Sequence, residues 1–136
     1  MKSTILVIDD NLSMLSVTRE VLQMCGHFVL TAQSGEEALQ LLDENDNPDL
    51  ILLDFKLRDM DGSEFLIKLE EDRPDIIHGV PVVFYSGKDE IPLGRAVGCI
   101  RKVISINEFL LTVEKFLNIF KKEPFHCEER LQLASI

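Results

Sequence analysis

Two four-residue runs, Ile5-Leu6-Val7-Ile8 and Leu50-Ile51-Leu52-Leu53, hold no polar side chain, and each is followed at once by aspartate: Asp9 and Asp10 after the first, Asp54 after the second. Alternating apolar and polar positions would mark a strand with one wet face. An unbroken apolar run this short marks a strand covered on both faces, which is the situation of parallel sheets. Three further segments share the pattern: His27 to Thr31, Val80 to Tyr85 and the brief Cys99-Ile100, each bounded by Gly, Pro, Asp or Ser.

Between these runs the apolar spacing becomes helical. Leu12, Leu15, Leu22 and Cys25 form one stripe, which ends at Gly26. Ser34 and Glu37 are spaced as a capping box ahead of Ala38, Leu41 and Leu42, and the turn formers Asn45 to Pro48 follow. Ser63 to Glu71 and Ile106 to Phe120 complete the set, the latter with Phe109, Val113, Phe116, Leu117 and Phe120 on one face. That face reads as core or interface packing. Strands alternating with helices predict βαβ units and an α/β fold, a doubly wound five-stranded parallel sheet of flavodoxin-like order 2-1-3-4-5.

The span from Ser86 to Lys102 is the exception. It must supply a fifth strand as well as a crossover, and it contains Gly87, Pro92 and Gly94. The fourth helix, between the fourth and fifth strands, is therefore expected to be shortened to a turn or two or missing. Residues 1–120 are expected to form the domain and residues 121–136 a C-terminal tail or the start of a linker, with the chain leaving the domain near Glu123-Pro124.

Composition limits the function. The 136 residues suit one core. Asp and Glu number 24 against 14 Lys and Arg, a net charge of −10 that works against direct binding to nucleic acid or anionic lipid. Cys25, Cys99 and Cys127 are odd in number and widely spaced, so they read as reduced thiols rather than a disulfide framework or zinc site. The apolar run near the N-terminus is too short for a signal peptide or membrane span, and the expectation is a cytoplasmic protein without membrane contact.

In a parallel sheet of this order, ligands sit where the first and third strands end. Asp9, Asp10 and Asp54 would then converge, although 45 residues separate Asp9 from Asp54 (54 − 9). At about 4 Å two like charges repel by ~4 kcal/mol at an effective dielectric near 20, so the cluster calls for a cation or a shared proton. Magnesium (Mg2+) suits an all-oxygen set with one or two carboxylates, several waters and a phosphate oxygen. A carboxylate beside it can attack phosphorus and form an acyl phosphate. Ser86 and Lys102 follow the fourth and fifth strands at the same edge, within reach of phosphoryl oxygens.

The segments ILVIDDN, LILLDFKLRDMDG and PVVFYSG, with the late Lys102, resemble the response-regulator receiver family of two-component signalling over residues 4 to about 119. The resemblance implies that Asp54 is the phosphoacceptor and that Asp9, Asp10 and the Lys56 backbone carbonyl join it in holding magnesium. It implies Ser86 as the switch hydroxyl, Lys102 as a phosphoryl contact, and a histidine kinase or phosphotransfer protein as donor. The chain departs from the family in carrying Val103 where proline usually follows the lysine, and Cys99 where an aromatic residue usually stands. Those departures bear on output more than on phosphate chemistry, and the competing reading is a receiver-like binding module that works without phosphorylation. A haloacid-dehalogenase-type phosphatase is disfavoured because Asn11 stands where its second aspartate would be, and a nucleotide-binding turn is disfavoured because DDNLSM has no glycine. Lys56 and Lys88 are expected to border the phosphate site, as candidate modulators of the lifetime of the phosphorylated state.

Overall fold

The computed structural model describes residues 3–87, 91–102 and 104–120. Five strands, β1 (Thr4–Ile8), β2 (Phe28–Ala32), β3 (Leu50–Leu53), β4 (Val82–Ser86) and β5 (Gly98–Arg101), form one parallel sheet in the order β2-β1-β3-β4-β5. Helices α1 (Leu12–Met24), α2 (Gly35–Glu44), α3 (Gly62–Asp72), α4 (Pro74–Gly79) and α5 (Ile106–Leu117) cover it. Among the described residues no helix is long and apolar enough to cross a membrane.

The unbroken apolar runs are divided between two cores by the two-residue period of a strand. Leu6, Ile8, Ile51 and Leu53 face α2, α3 and α4, packing with Ala38, Leu42, Phe65, Leu69 and Ile76. Ile5, Val7, Leu50 and Leu52 face the other way, against Leu15 and Leu22 of α1 and Phe109, Val113 and Leu117 of α5. All eight strand side chains are at most 2% exposed, so β1 and β3 have no wet face to mark with a polar residue.

Local signals fix the helix ends. Asn11 caps α1, its side chain accepting the Met14 N–H at 3.1 Å. Ser34 caps α2 by accepting the Glu37 N–H at 3.1 Å, but Glu37 returns its carboxylate to the Gln33 N–H rather than to Ser34, so the expected box is half formed. The complete box lies at α3, where Asp61 and Glu64 cap each other's backbone. Gly62 follows directly, and a Cβ there would fall on the Phe84 ring.

The fourth helix in chain order, the six-residue α4, precedes β4. Between β4 and β5 the described residues, 87 and 91–97, carry no helix, in keeping with the expectation from Gly87, Pro92 and Gly94. Gly94 takes a φ of +52°, a conformation that side-chain-bearing residues resist. Arg95 fastens this connection to α3 through a two-pronged pair with Glu70, Nε to Oε2 at 2.8 Å and Nη2 to Oε1 at 3.1 Å. The residues from 121 onward, and with them the expected departure at Glu123-Pro124, lie outside the described residues.

Candidate functional site

The hydrogen-bond ladder of the sheet continues one step past the strands, and that step sets the site. The Asp9 N–H donates to the Ala32 carbonyl at 3.0 Å, the Asp54 N–H to Ile8 at 2.9 Å, and the Lys102 N–H to Ser86 at 3.0 Å. Register pairs Ile8 with both Ala32 and Leu53, so Asp9 and Asp54 emerge side by side. Ser86 pairs with Arg101, which leaves Lys102 as the next residue at the same edge.

Carboxylate oxygens of Asp9, Asp10 and Asp54 lie within 4.8 Å of one another. Lys102 bridges two of them, its Nζ 2.7 Å from Asp9 Oδ2 and 3.4 Å from Asp54 Oδ2. Asp9 is buried, and its other oxygen accepts the Asn11 N–H at 2.9 Å. Because Asn11 performs the capping of α1, the two aspartates are left to the crevice. The Lys102 ammonium also stands 5.7 Å from the centre of the Tyr85 ring, which packs on Phe109 of α5 at a centroid distance of 4.9 Å.

Burial raises the Asp54 carboxyl above its ordinary value; the positive field of Lys102 opposes this, and the neighbouring charge of Asp9 adds to it. For Lys102 burial acts to lower the value, yet the hydrogen bond it donates to Asp9 and the fields of Asp54 and Asp9 outweigh it, so the ammonium is held above the usual lysine range. The lysine therefore stays charged at neutral pH. One ammonium among three carboxylates leaves a net negative, all-oxygen pocket.

The structure gathers Asp9, Asp10, Asp54 and Lys102, and puts Ser86, buried at the end of β4, on the same sheet edge. Lys56 has an exposed side chain, and its backbone forms an antiparallel bridge to Asp61 within the loop after Asp54. Lys88 and Val103 lie outside the described residues. Cys99 is exposed. Two arrangements near the site escaped the sequence reading. Asn11 as the helix cap could have been read from its place before the first helical residue. The contact of Asp59 with the start of α2 joins residues more than twenty apart and has no local signal.

A doubly wound sheet of this order, with helices on both faces and an acidic crevice at the switch between β1 and β3, is the CheY-like flavodoxin fold. Residues 5–114 match the response regulator receiver domain, and the chain belongs to that family. It is 28% identical over 123 residues to the polar-differentiation response regulator DivK of Brucella ovis, covering 86% of this chain and 98% of DivK. A CheY-like receiver domain protein from Methanospirillum hungatei superposes with a TM-score of 0.78 at 28% identity, covering 91% of this chain and all of that one. TrrA of Thermotoga maritima, solved in complex with Mg(2+)-BeF, shares the fold at 24% identity with a TM-score of 0.72, covering 84% of this chain and 98% of TrrA.

Proposed function

We propose that this chain is the phosphoacceptor of a two-component phosphorelay: Asp54 takes a phosphoryl group from a histidine kinase or phosphotransfer protein, and a protein-binding face changes in response. The observation that carries this reading is the crevice, where Asp54 stands within 4.8 Å of two further carboxylates and 3.4 Å from an ammonium. The donor set fits magnesium, since every candidate ligand is an oxygen and three carboxylates face the single Lys102 ammonium that pairs with two of them among the described residues. Asp9, Asp10, Asp54 and the Lys56 carbonyl would hold the ion, which when bound offsets carboxylate repulsion and the charge on phosphoryl oxygens.

The remaining work falls to the chain. One Asp54 oxygen attacks phosphorus in line, the bond to the donor's imidazole nitrogen breaks with its electron pair, and an acyl phosphate forms. The Lys102 ammonium, already poised between Asp9 and Asp54, pairs with a phosphoryl oxygen. The Ser86 hydroxyl at the neighbouring strand end supplies a second contact. Hydrolysis reverses the gain by attack of water opposite the Asp54 oxygen, so the protein assists its own phosphorylation and dephosphorylation without being an enzyme in the ordinary sense.

Acetate and inorganic phosphate release from acetyl phosphate, followed together, test this reading. A magnesium-dependent stoichiometric burst of acetate, with phosphate released only slowly afterwards as phospho-Asp54 hydrolyses, supports it, and fast turnover of a phosphate monoester instead would show a phosphatase. The second reading, a module that binds without phosphorylation, is favoured by Cys99, which offers no ring to respond at Ser86. Hydrogen exchange of α5 with and without acetyl phosphate separates the two: altered protection supports phosphorylation-driven output, and unchanged protection supports the module.

A further inference from the structure

The loop from Asp54 to Gly62 is fastened to the start of α2 by the Asp59 side chain. The Asp59 carboxylate accepts the Gly35 N–H at 2.9 Å through Oδ1 and the Glu36 N–H at 3.0 Å through Oδ2, so both oxygens sit on the N-terminus of α2. Those amides belong to the first turn, which has no partners within its own helix, and the positive end of the helix dipole adds to the attraction. The same backbone bonds hold the Asp59 carboxyl below the ordinary carboxylate value, although desolvation works in the other direction.

Around this contact the loop closes on itself. Gly62 N–H donates to the Phe55 carbonyl, Leu57 N–H donates to Met60 at 3.1 Å, and Lys56 bridges Asp61. Leu57 and Met60 are buried, and Gly35 is the residue against which the Met60 thioether packs, with no room for a Cβ. A second polar strap runs from Arg58 Nη2 to Gln33 Oε1 at 3.1 Å. Gln33 directly follows Ala32, whose carbonyl accepts the Asp9 N–H.

We infer that Asp59 is a positioning residue for the metal: by clamping the loop onto α2 it fixes the Lys56 carbonyl before the ion arrives. The inference rests on the reading of Lys56 as a ligand given above. Without Asp59 the loop keeps its internal turn but loses its bond to α2, so the turn as a whole, and the Lys56 carbonyl with it, samples more orientations, and apparent affinity falls in proportion to the competent fraction.

Magnesium titration by calorimetry on the full chain tests this, with Asp59→Ala set beside Ser34→Ala. Both substitutions remove a cap from the same helix end, but only Asp59 lies on the loop. Asp59→Ala should raise the magnesium Kd about fivefold, the effect of lowering the competent fraction to roughly one in five, while Ser34→Ala leaves it within about twofold. Equal affinities in wild type and Asp59→Ala would overturn the inference, as would an equal rise in both variants, which would mark a general effect of loosening α2. Hydrogen exchange of the Leu57 amide in metal-free protein gives a reading independent of the ion: it should quicken in Asp59→Ala and not in Ser34→Ala. Failure of the wild type to bind magnesium would withdraw the ligand assignment, and unchanged Leu57 exchange would withdraw the clamp.

Discussion

Asp54 is a carboxylate held where its charged form is disfavoured, by burial first and by Asp9 as well. A folded-state value raised above the unfolded one makes ionisation a cost to stability at neutral pH, and the cost is relieved as pH falls through the raised value. Asp54→Asn is therefore expected to melt higher than wild type at pH 7, with the gap narrowing in acid and closing below the ordinary carboxylate value of 3.8. Thermal melts across that range check it. Asp10→Asn removes one crowded charge without emptying the core, because Asp10 is only partly buried, and should weaken magnesium binding in a calorimetric titration while the fold persists. Lys56 is exposed and stands two residues after Asp54; if it shields phospho-Asp54 from water, Lys56→Ala should shorten the phospho-Asp54 lifetime by up to about fivefold at low ionic strength and less at high salt, as followed by phosphate release. At this scale the sequence made Asp9, Asp10, Asp54 and Lys102 visible because each stands within two residues of a strand's end. The buried pair of His27 Nε2 with Glu114 Oε1 at 3.0 Å was not visible, since its partners are 87 residues apart and neither lies in a motif.

Elements with their own local chemistry were legible and the others were not. β1 and β3 are unbroken apolar runs, and α5 carries Phe109, Val113 and Leu117 inward at helical spacing. Asp61, by contrast, falls outside the Ser63 to Glu71 helix that the apolar spacing marks, yet it opens α3 with a complete capping box. Asp61→Ala should lower stability by about 1 kcal/mol in denaturant unfolding, with the denaturant dependence unchanged because the same surface is exposed. The six-residue α4 was missed: it is shorter than two turns, starts at Pro74 and buries Ile76 and Ile77, so tertiary packing rather than periodicity makes it a helix. The last helix ends at Leu117, three residues before the Phe120 that its stripe suggested, and Phe120 is half exposed.

Over the whole molecule, two-sided burial of β1 and β3 dictates a sheet with helices on both faces, and the same register that builds the two cores brings Asp9 and Asp54 together. The fold and the crevice were thus legible from one pattern. What that pattern leaves open is how the crevice speaks to a partner, since the β4–β5 connection has no helix among its described residues and is tied to α3 by Arg95 and Glu70 instead. All of this turns on phosphorylation of Asp54. After incubation with magnesium and acetyl phosphate or phosphoramidate, intact mass should show an adduct of one phosphoryl group on the wild type, not formed when the metal is chelated beforehand and absent from Asp54→Asn; no adduct with either donor, or an equal adduct on Asp54→Asn, would rule Asp54 out as the acceptor.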